Sequence, residues 1–306
     1  MNKNTHLVKV SDGHLISVTV YFPSEEPKGH IHILHGMAEH SARYEDFAKF
    51  LIGNGYVVSM HDHRGHGQTA SVNESPKGFF AEQQGFERVV LDVHEVLDFV
   101  RVDQHLPPVI LFGHSMGSFI ARRYTELYSD TLSKAIFCGT GAASVTHQAG
   151  HVLAKSLAKL NGKTKESPLL DKLSFGNFNR AFSNTQTDFD WLSSDSTEVA
   201  KYIADEDCGF LATNQFYVDL TGGILTLSKE EEINRIRKDL PILLISGADD
   251  PVGSFSKGIW KVAKSYQSCG LTNVTVQLFE GKRHEILNEV NRQEVYNKII
   301  WWLEKE

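Results

Sequence analysis

Short apolar runs alternate with amphipathic stretches over most of the chain, and this alternation predicts its organisation. Leu7 to Phe22 reads as two strands joined at Ser11-Asp12-Gly13, since Asp-Gly tolerates the positive φ angles of a tight hairpin. Ile31 to Leu34, Tyr56 to Met60, Val109 to Phe112 and Ala135 to Cys138 read as further strands. Between them the clearest helix runs from about Gly85 to Val102, where Phe86, Val89, Val90, Val93, Val96, Leu97 and Val100 mark one buried face. From about Gly141 to Asp239 the alternation stops. Val152, Leu153, Ser156, Leu157 and Leu160 suggest a helix there, and Thr221-Gly222-Gly223 suggests a break. Alternation returns with strands at Ile242 to Ser246 and Val274 to Phe279 and a closing helix from about Glu289 to Leu303. Residues 142–232 therefore look inserted into a core formed by 1–141 and 233–306. Such a βαβ series implies an α/β fold with a mostly parallel sheet, ligands sitting outside the carboxyl ends of the strands.

At 306 residues and 41% hydrophobic, the chain is long enough to bury a large core. A net charge of -7 without a dense basic run argues against a nucleic-acid partner. The absence of a signal-like start or a long apolar stretch leads to the expectation of a cytoplasmic protein, at most peripheral at the inner membrane surface. Cys138, Cys208 and Cys269 are widely spaced and read as small buried hydrophobes. In the closing helix, Val295, Ile299 and Trp302 recur at core spacing rather than as an anchor.

Candidate chemistry begins at Gly113-His114-Ser115-Met116-Gly117. Glycine usage alone would produce G-x-S-x-G in roughly one chain in ten of this length, so the context decides. The strand Val109 to Phe112 runs into it and Ser118 to Tyr128 reads as a helix leaving it, which is the setting of a nucleophile elbow. A serine needs a base, and His284 alone among the 15 histidines lies in the second half of the chain, after the last strand. The acid that would orient it follows the preceding strand, where Asp249 and Asp250 compete. Asp250 is preferred, with Asp249 as a turn former. Serine, acid, histidine is the order of α/β-hydrolases. Met116 NH, at the helix start, and Met37 NH, after the strand Ile31 to Leu34, are the candidate oxyanion donors.

His30, His32, His35, His61, His63 and His66 raise a metal alternative. Gly65 stands where the zinc motif H-x-H-x-D-H needs aspartate, so no metal is expected. His35-Gly36-Met37-Ala38-Glu39-His40-Ser41-Ala42-Arg43-Tyr44 instead resembles the H-G-x-x-E-H-x-x-R-Y segment of monoacylglycerol lipases and bacterial lysophospholipases, within the serine aminopeptidase S33-like α/β-hydrolases. Asp62-His63-Arg64-Gly65-His66-Gly67 resembles their D-x-R-G-H-G turn, and the likeness spans nearly the whole chain. Met37-Ala38 replaces the small residue and glycine often found in the lipases.

The resemblance implies an eight-stranded, mostly parallel sheet flanked by helices and a helical cap over an acyl pocket. It implies a cofactor-free serine esterase acting on a small amphiphilic ester, a monoacylglycerol or lysophospholipid, with transient contact between cap and membrane surface. Val152, Leu153, Leu157, Phe216, Leu220 and Ile224 are the expected lining. A short-chain carboxylesterase, a thioesterase or a peptidase would use the same triad. A peptidase specific for free amines would also need an acidic cluster in the cap, where Asp205-Glu206-Asp207 is the obvious one. A non-enzymatic binding protein on this scaffold would be expected to have lost a triad member.

Overall fold

The computed structural model describes residues 2–104 and 106–305. The chain opens with β1 (Asn2–Lys9) and β2 (Leu15–Phe22), an antiparallel pair closed by a turn in which Gly13 takes φ +89°. There follow β3 (Gly29–Leu34), helix α1 (Glu45–Gly53), β4 (Tyr56–His61), and helices α2 (Gly67–Val72) and α3 (Gly85–Gln104). Next come β5 (Val109–His114), α4 (Met116–Tyr128) and β6 (Leu132–Cys138). Five helices intervene before the sheet resumes: α5 (Val145–Asn161), α6 (Pro168–Phe175), α7 (Ser196–Ala204), α8 (Asn214–Thr226) and α9 (Glu230–Ile233). The chain finishes with β7 (Ile242–Gly247), α10 (Lys257–Ser268), β8 (Val274–Phe279) and α11 (Arg292–Leu303).

The strands form one eight-stranded sheet in the order β1-β2-β4-β3-β5-β6-β7-β8. β2 pairs antiparallel with β1 and β4, and every later neighbour is parallel, so the antiparallel edge and the parallel body expected from the pattern are both present. β3, β4, β5 and β7 are buried at every position, as strands covered by helices on both faces must be. α3 and α4 pack Val89, Val93, Ile120 and Tyr124 on one face, while α1 and α11 pack Phe47, Leu51, Val295 and Ile299 on the other. Trp302 is buried beside them, consistent with core rather than anchor. Cys138 and Cys208 are buried, whereas Cys269 is partly exposed.

The break expected at 221–223 is absent, because α8 runs straight through it. A Cβ on Gly223 would lie 2.4 Å from the ring of Phe86, so this glycine serves close approach of α8 to α3 rather than a turn. The strands also begin or end one to a few residues beyond the apolar runs, since Gly29 and the polar His61 and His114 continue the ladders.

Candidate active site

Ser115 sits between β5 and α4 with φ 51° and ψ -119°, a conformation that costs a non-glycine residue free energy and is held by its surroundings. Its own NH donates to Cys138 O at 2.9 Å, and Ser118 N donates to Ser115 O at 2.9 Å. The flanking glycines are required by space: a Cβ on Gly113 would stand 2.3 Å from Gly117 O, and one on Gly117 would stand 2.3 Å from Leu34 O. The turn thus lets α4 meet β5 and β3 backbone to backbone, leaving Ser115 partly exposed at the carboxyl end of the sheet.

Asp250 and His284 come from the loops after β7 and β8. His284 Nδ1 lies 2.9 Å from Asp250 Oδ1, with the ring N–H turned out of line for a straight hydrogen bond. Such contacts commonly tighten when substrate is bound. Both residues are buried, and Asp250 is fixed by Val252 N, donating to Oδ1 at 2.8 Å, and by Ser246 Oγ, donating to Oδ2 at 3.1 Å. Asp249 is partly exposed, and its NH donates to Lys282 O at 3.1 Å, which ties the acid loop to the histidine loop. The His284 ring packs against Trp191 of the helical insertion, 5.1 Å between centroids, and against His114 at 4.8 Å.

The loop after β3 lies against the serine, for a Cβ on Gly36 would be 3.2 Å from Ser115 Cβ. Gly36 N donates to Glu39 Oε1 at 2.5 Å, which fixes the turn that presents Met37. Among the described residues, neither Met37 NH nor Met116 NH donates to another protein group. Both amides are therefore available to an anionic oxygen.

Beneath this surface lies a charged cluster whose roles the sequence did not indicate. Arg43 Nη1 reaches Glu39 at 2.6 Å, and its guanidinium grips Glu285 through bonds of 2.6 and 2.8 Å. Tyr44 OH donates to Glu39 Oε1 at 2.7 Å and lies 2.9 Å from His114 Nδ1. Burial opposes charge on Glu39, but Arg43 and then His114 outweigh it and hold the carboxyl well below its ordinary range. For His114 burial likewise opposes the charged form, yet the hydrogen bond and charge of Glu39 raise its pKa. Glu39, Arg43 and Tyr44 were visible as motif letters, whereas Glu285 carried no signal beyond its place after His284.

The expected lining residues separate. Val152 is 66% exposed on α5 and does not line an interior, because the side of the helix that packs on α8 is carried by its neighbours. Phe216 is wholly buried, with its ring 4.8 Å from that of Phe80, and Ile224 is buried in the same apolar cluster. Leu153, Leu157, Leu220 and Met37 are half-buried against that cluster, which also contains Met116 and Phe119. Two cavities of about 350 and 370 Å³ lie elsewhere, one along α11 and one between residues 184–194 and α7, and neither is lined by Ser115. Among the described residues no helix is long and apolar enough to cross a membrane.

Comparison with known proteins places this geometry in context. Residues 25–291 match the family described as serine aminopeptidase, S33. The human monoglyceride lipase is 28% identical over 305 residues, covering 97% of this chain and 89% of that protein. The monoacylglycerol lipase of Mycolicibacterium smegmatis is 24% identical, covering 93% and 91%. The thermostable carboxyl esterase of Bacillus coagulans, solved with glycerol, superposes with a TM-score of 0.89 at 26% identity, covering 99% of this chain and 98% of that one.

Proposed function

Because this chain belongs to the serine aminopeptidase, S33 family of α/β-hydrolases, we propose that it cleaves the carboxylic ester of monoacylated lipids, monoacylglycerols or lysophospholipids, through an acyl-enzyme on Ser115. What supports this reading is that partly exposed Ser115 follows β5 while the buried pair His284 and Asp250 comes from the loops after β8 and β7 at the same carboxyl end of the sheet, with the His284 ring 4.8 Å from that of His114, the residue before the serine. In the proposal His284 takes the Ser115 proton as the hydroxyl attacks the ester carbonyl, then returns it to the departing alcohol. Asp250 holds the imidazole in the tautomer that leaves Nε2 free for the serine. Met37 and Met116 NH groups carry the negative oxygen of each tetrahedral intermediate. Water, deprotonated by His284, then releases the fatty acid. No step calls on a metal or organic cofactor.

The preference for a lipid rests on the insertion, taken here as a cap over residues 142–232 on a core of 1–141 and 233–306. Leu153, Leu157 and Leu220 offer its half-buried apolar inner side. Val145, Val152 and Leu160 on α5, with Leu169 and Leu173 on α6, are each at least half exposed, an apolar ridge suited to transient contact with a membrane surface. Contact at the inner membrane surface by a cytoplasmic enzyme is part of the same proposal. The names of the relatives, monoglyceride lipase and monoacylglycerol lipase, lend further support. Against a free-amine peptidase, Asp205 is paired with His40 and Asp207 with Lys77, so two of the three cap acids already have cationic or polar partners.

The test is turnover of 1-monoacylglycerol, lysophosphatidylcholine, short p-nitrophenyl esters and an aminoacyl amide by wild type, Ser115→Ala and EDTA-treated protein. Fastest cleavage of the long-chain monoacyl lipids, abolished by Ser115→Ala and not lost on EDTA treatment, is expected. Preference for the amide or the short esters overturns the substrate, and activity that survives Ser115→Ala overturns the mechanism.

A further inference from the structure

Where α7 ends, the chain turns back toward the loop after β3. Tyr202 OH donates to Ala38 O at 3.0 Å and Gly209 N donates to the same oxygen at 2.9 Å, so residues 202–209 are bonded directly to the loop that presents Met37. Beside this junction lie three donors of different chemistry: His40 Nε2 from the core, and Asp205 Oδ2 and Cys208 Sγ from the insertion. One ligand atom from each residue, an imidazole nitrogen, a carboxylate oxygen and the sulfur, lies within 4.8 Å of the other two. The turn assembles them, since Cys208 N donates to Asp205 O at 3.0 Å. Asp207 N occupies Asp205 Oδ1 at 2.9 Å, leaving Oδ2 directed at His40, 2.9 Å away.

We propose that His40, Asp205 and Cys208 bind a zinc-class divalent cation that ties the insertion to the oxyanion loop. The donor set carries the choice of ion. Imidazole, carboxylate and thiolate together are the ligands of zinc and its neighbours, whereas magnesium and calcium take oxygen alone. At zinc bond lengths of about 2.0 to 2.3 Å, tetrahedral ligand atoms stand roughly 3.3 to 3.8 Å apart, so closing this trio takes a side-chain shift of about an ångström. A hydrogen-bonded His-Asp pair would have no need of the thiol that the same turn delivers. On binding, the Cys208 thiol loses its proton to solvent as the metal–sulfur bond forms. The His40 proton moves to Nδ1, freeing the Nε2 lone pair for the metal. Two negative ligands then neutralise the dication. Three protein ligands leave a fourth position for water, the coordination of an exchangeable ion rather than of a closed structural site. The ion acts on the cap and takes no part in the acyl transfer.

Cobalt(II) titration of the metal-free protein tests the site without any substrate, so its outcome is independent of the ester assignment. One equivalent should bind and produce a thiolate-to-cobalt charge-transfer band, which zinc bleaches by displacement. The band should vanish in Cys208→Ser and persist in Cys269→Ser, and His40→Ala should weaken binding at least about tenfold, the usual scale for a lost ligand or its support. Should Cys208→Ser fold poorly, Asp205→Asn, which keeps a side-chain oxygen for the turn, should weaken binding by a similar factor. Added zinc should raise the melting temperature of wild type and slow turnover of its best ester, both reversed by EDTA and both absent in Cys208→Ser. No band, a band that survives Cys208→Ser, or binding unchanged in Asp205→Asn overturns the proposal.

Discussion

Arg43 grips Glu285 through two hydrogen bonds of 2.6 and 2.8 Å, joining residues 242 positions apart in the chain. One side of this clamp is the loop after β3, which presents Met37, and the other is the residue that follows His284. The proposed oxyanion side and the proposed base side of the candidate site are therefore joined through one guanidinium that is only 11% exposed. Arg43→Lys keeps the charge and loses the planar fork, leaving two buried carboxylates that one ammonium cannot satisfy. We expect a stability loss of about 3 kcal/mol, in the range for a broken buried pair, together with a fall in kcat. Urea unfolding followed by ester turnover checks both, and unchanged values for both would remove the clamp from the account.

Asp250 and its neighbour Asp249 should separate cleanly by mutation. Asp250 is buried against His284, while Asp249 contributes its backbone NH to the Lys282 carbonyl. Asp250→Asn should lower kcat by about ten-thousand-fold, because an amide at this position favours the wrong imidazole tautomer. Asp249→Asn retains the backbone bond and should change kcat by no more than a few-fold. Equal losses in the two variants would mean that the acid is misassigned.

Gly36 has no room for a side chain. A Cβ there would meet Glu39 Oε1 at 2.6 Å and Ser115 Cβ at 3.2 Å, so Gly36→Ala must displace the carboxylate that fixes the turn. Loss of one oxyanion donor lowers kcat by about a hundred- to thousandfold, and that is the expected range. A fluorophosphonate probe should still label Ser115 in the folded variant, though more slowly. Turnover equal to wild type would exclude this loop from the oxyanion site.

How much of this was legible in the sequence follows from the range of the interactions involved. Apolar period and turn chemistry are local, and they located the strands and the strand-to-helix turn at Ser115, from which the order Ser115, Asp250 and His284 was proposed. Gly223 misled because a glycine that admits a neighbouring ring looks the same in sequence as one that ends a helix. Val152 misled because a regular apolar spacing on α5 continues around to its exposed side. Glu285 was invisible for a third reason: its partner is on another loop, and no local pattern records a contact across the fold. The histidines of β3 and β4, which raised a metal alternative in the sequence, are hydrogen-bonded among themselves, which no local pattern records either. His30 and His32 share Ser59 Oγ at 2.6 Å each, and His32 Nε2 lies 2.9 Å from His61 Nδ1.

That histidine chain makes the fold sensitive to acid. Burial lowers the pKa of His30, His61 and His66 to about 3 each, and holds His32 and His63 well below the ordinary value of 6.5. In the unfolded chain these rings take up protons as soon as the pH falls below 6.5, while in the folded protein they stay neutral. The unfolded state therefore binds more protons throughout the interval from about 6.5 down to about 3, and stability is complete above that window and declines across it. Each ring contributes at most about 1.4 kcal/mol per pH unit, so several acting together outweigh most single packing contacts. His114, raised by Glu39, and Glu126 and Asp219, raised by burial to about 7 and about 6, work in the opposite sense, but the lowered rings, with His35 and His14 added to the five, outnumber them. Urea midpoints measured at about pH 8, 6.5 and 5 should fall at each step, modestly over the first, where the unfolded rings reach half protonation, and much more over the second. His61→Asn, by removing one buried titrating ring, should make the decline between the last two shallower even if it lowers the midpoint at about pH 8. A midpoint that does not fall between about pH 6.5 and 5 would mean that the histidines are already charged in the folded protein or remain neutral in the unfolded one.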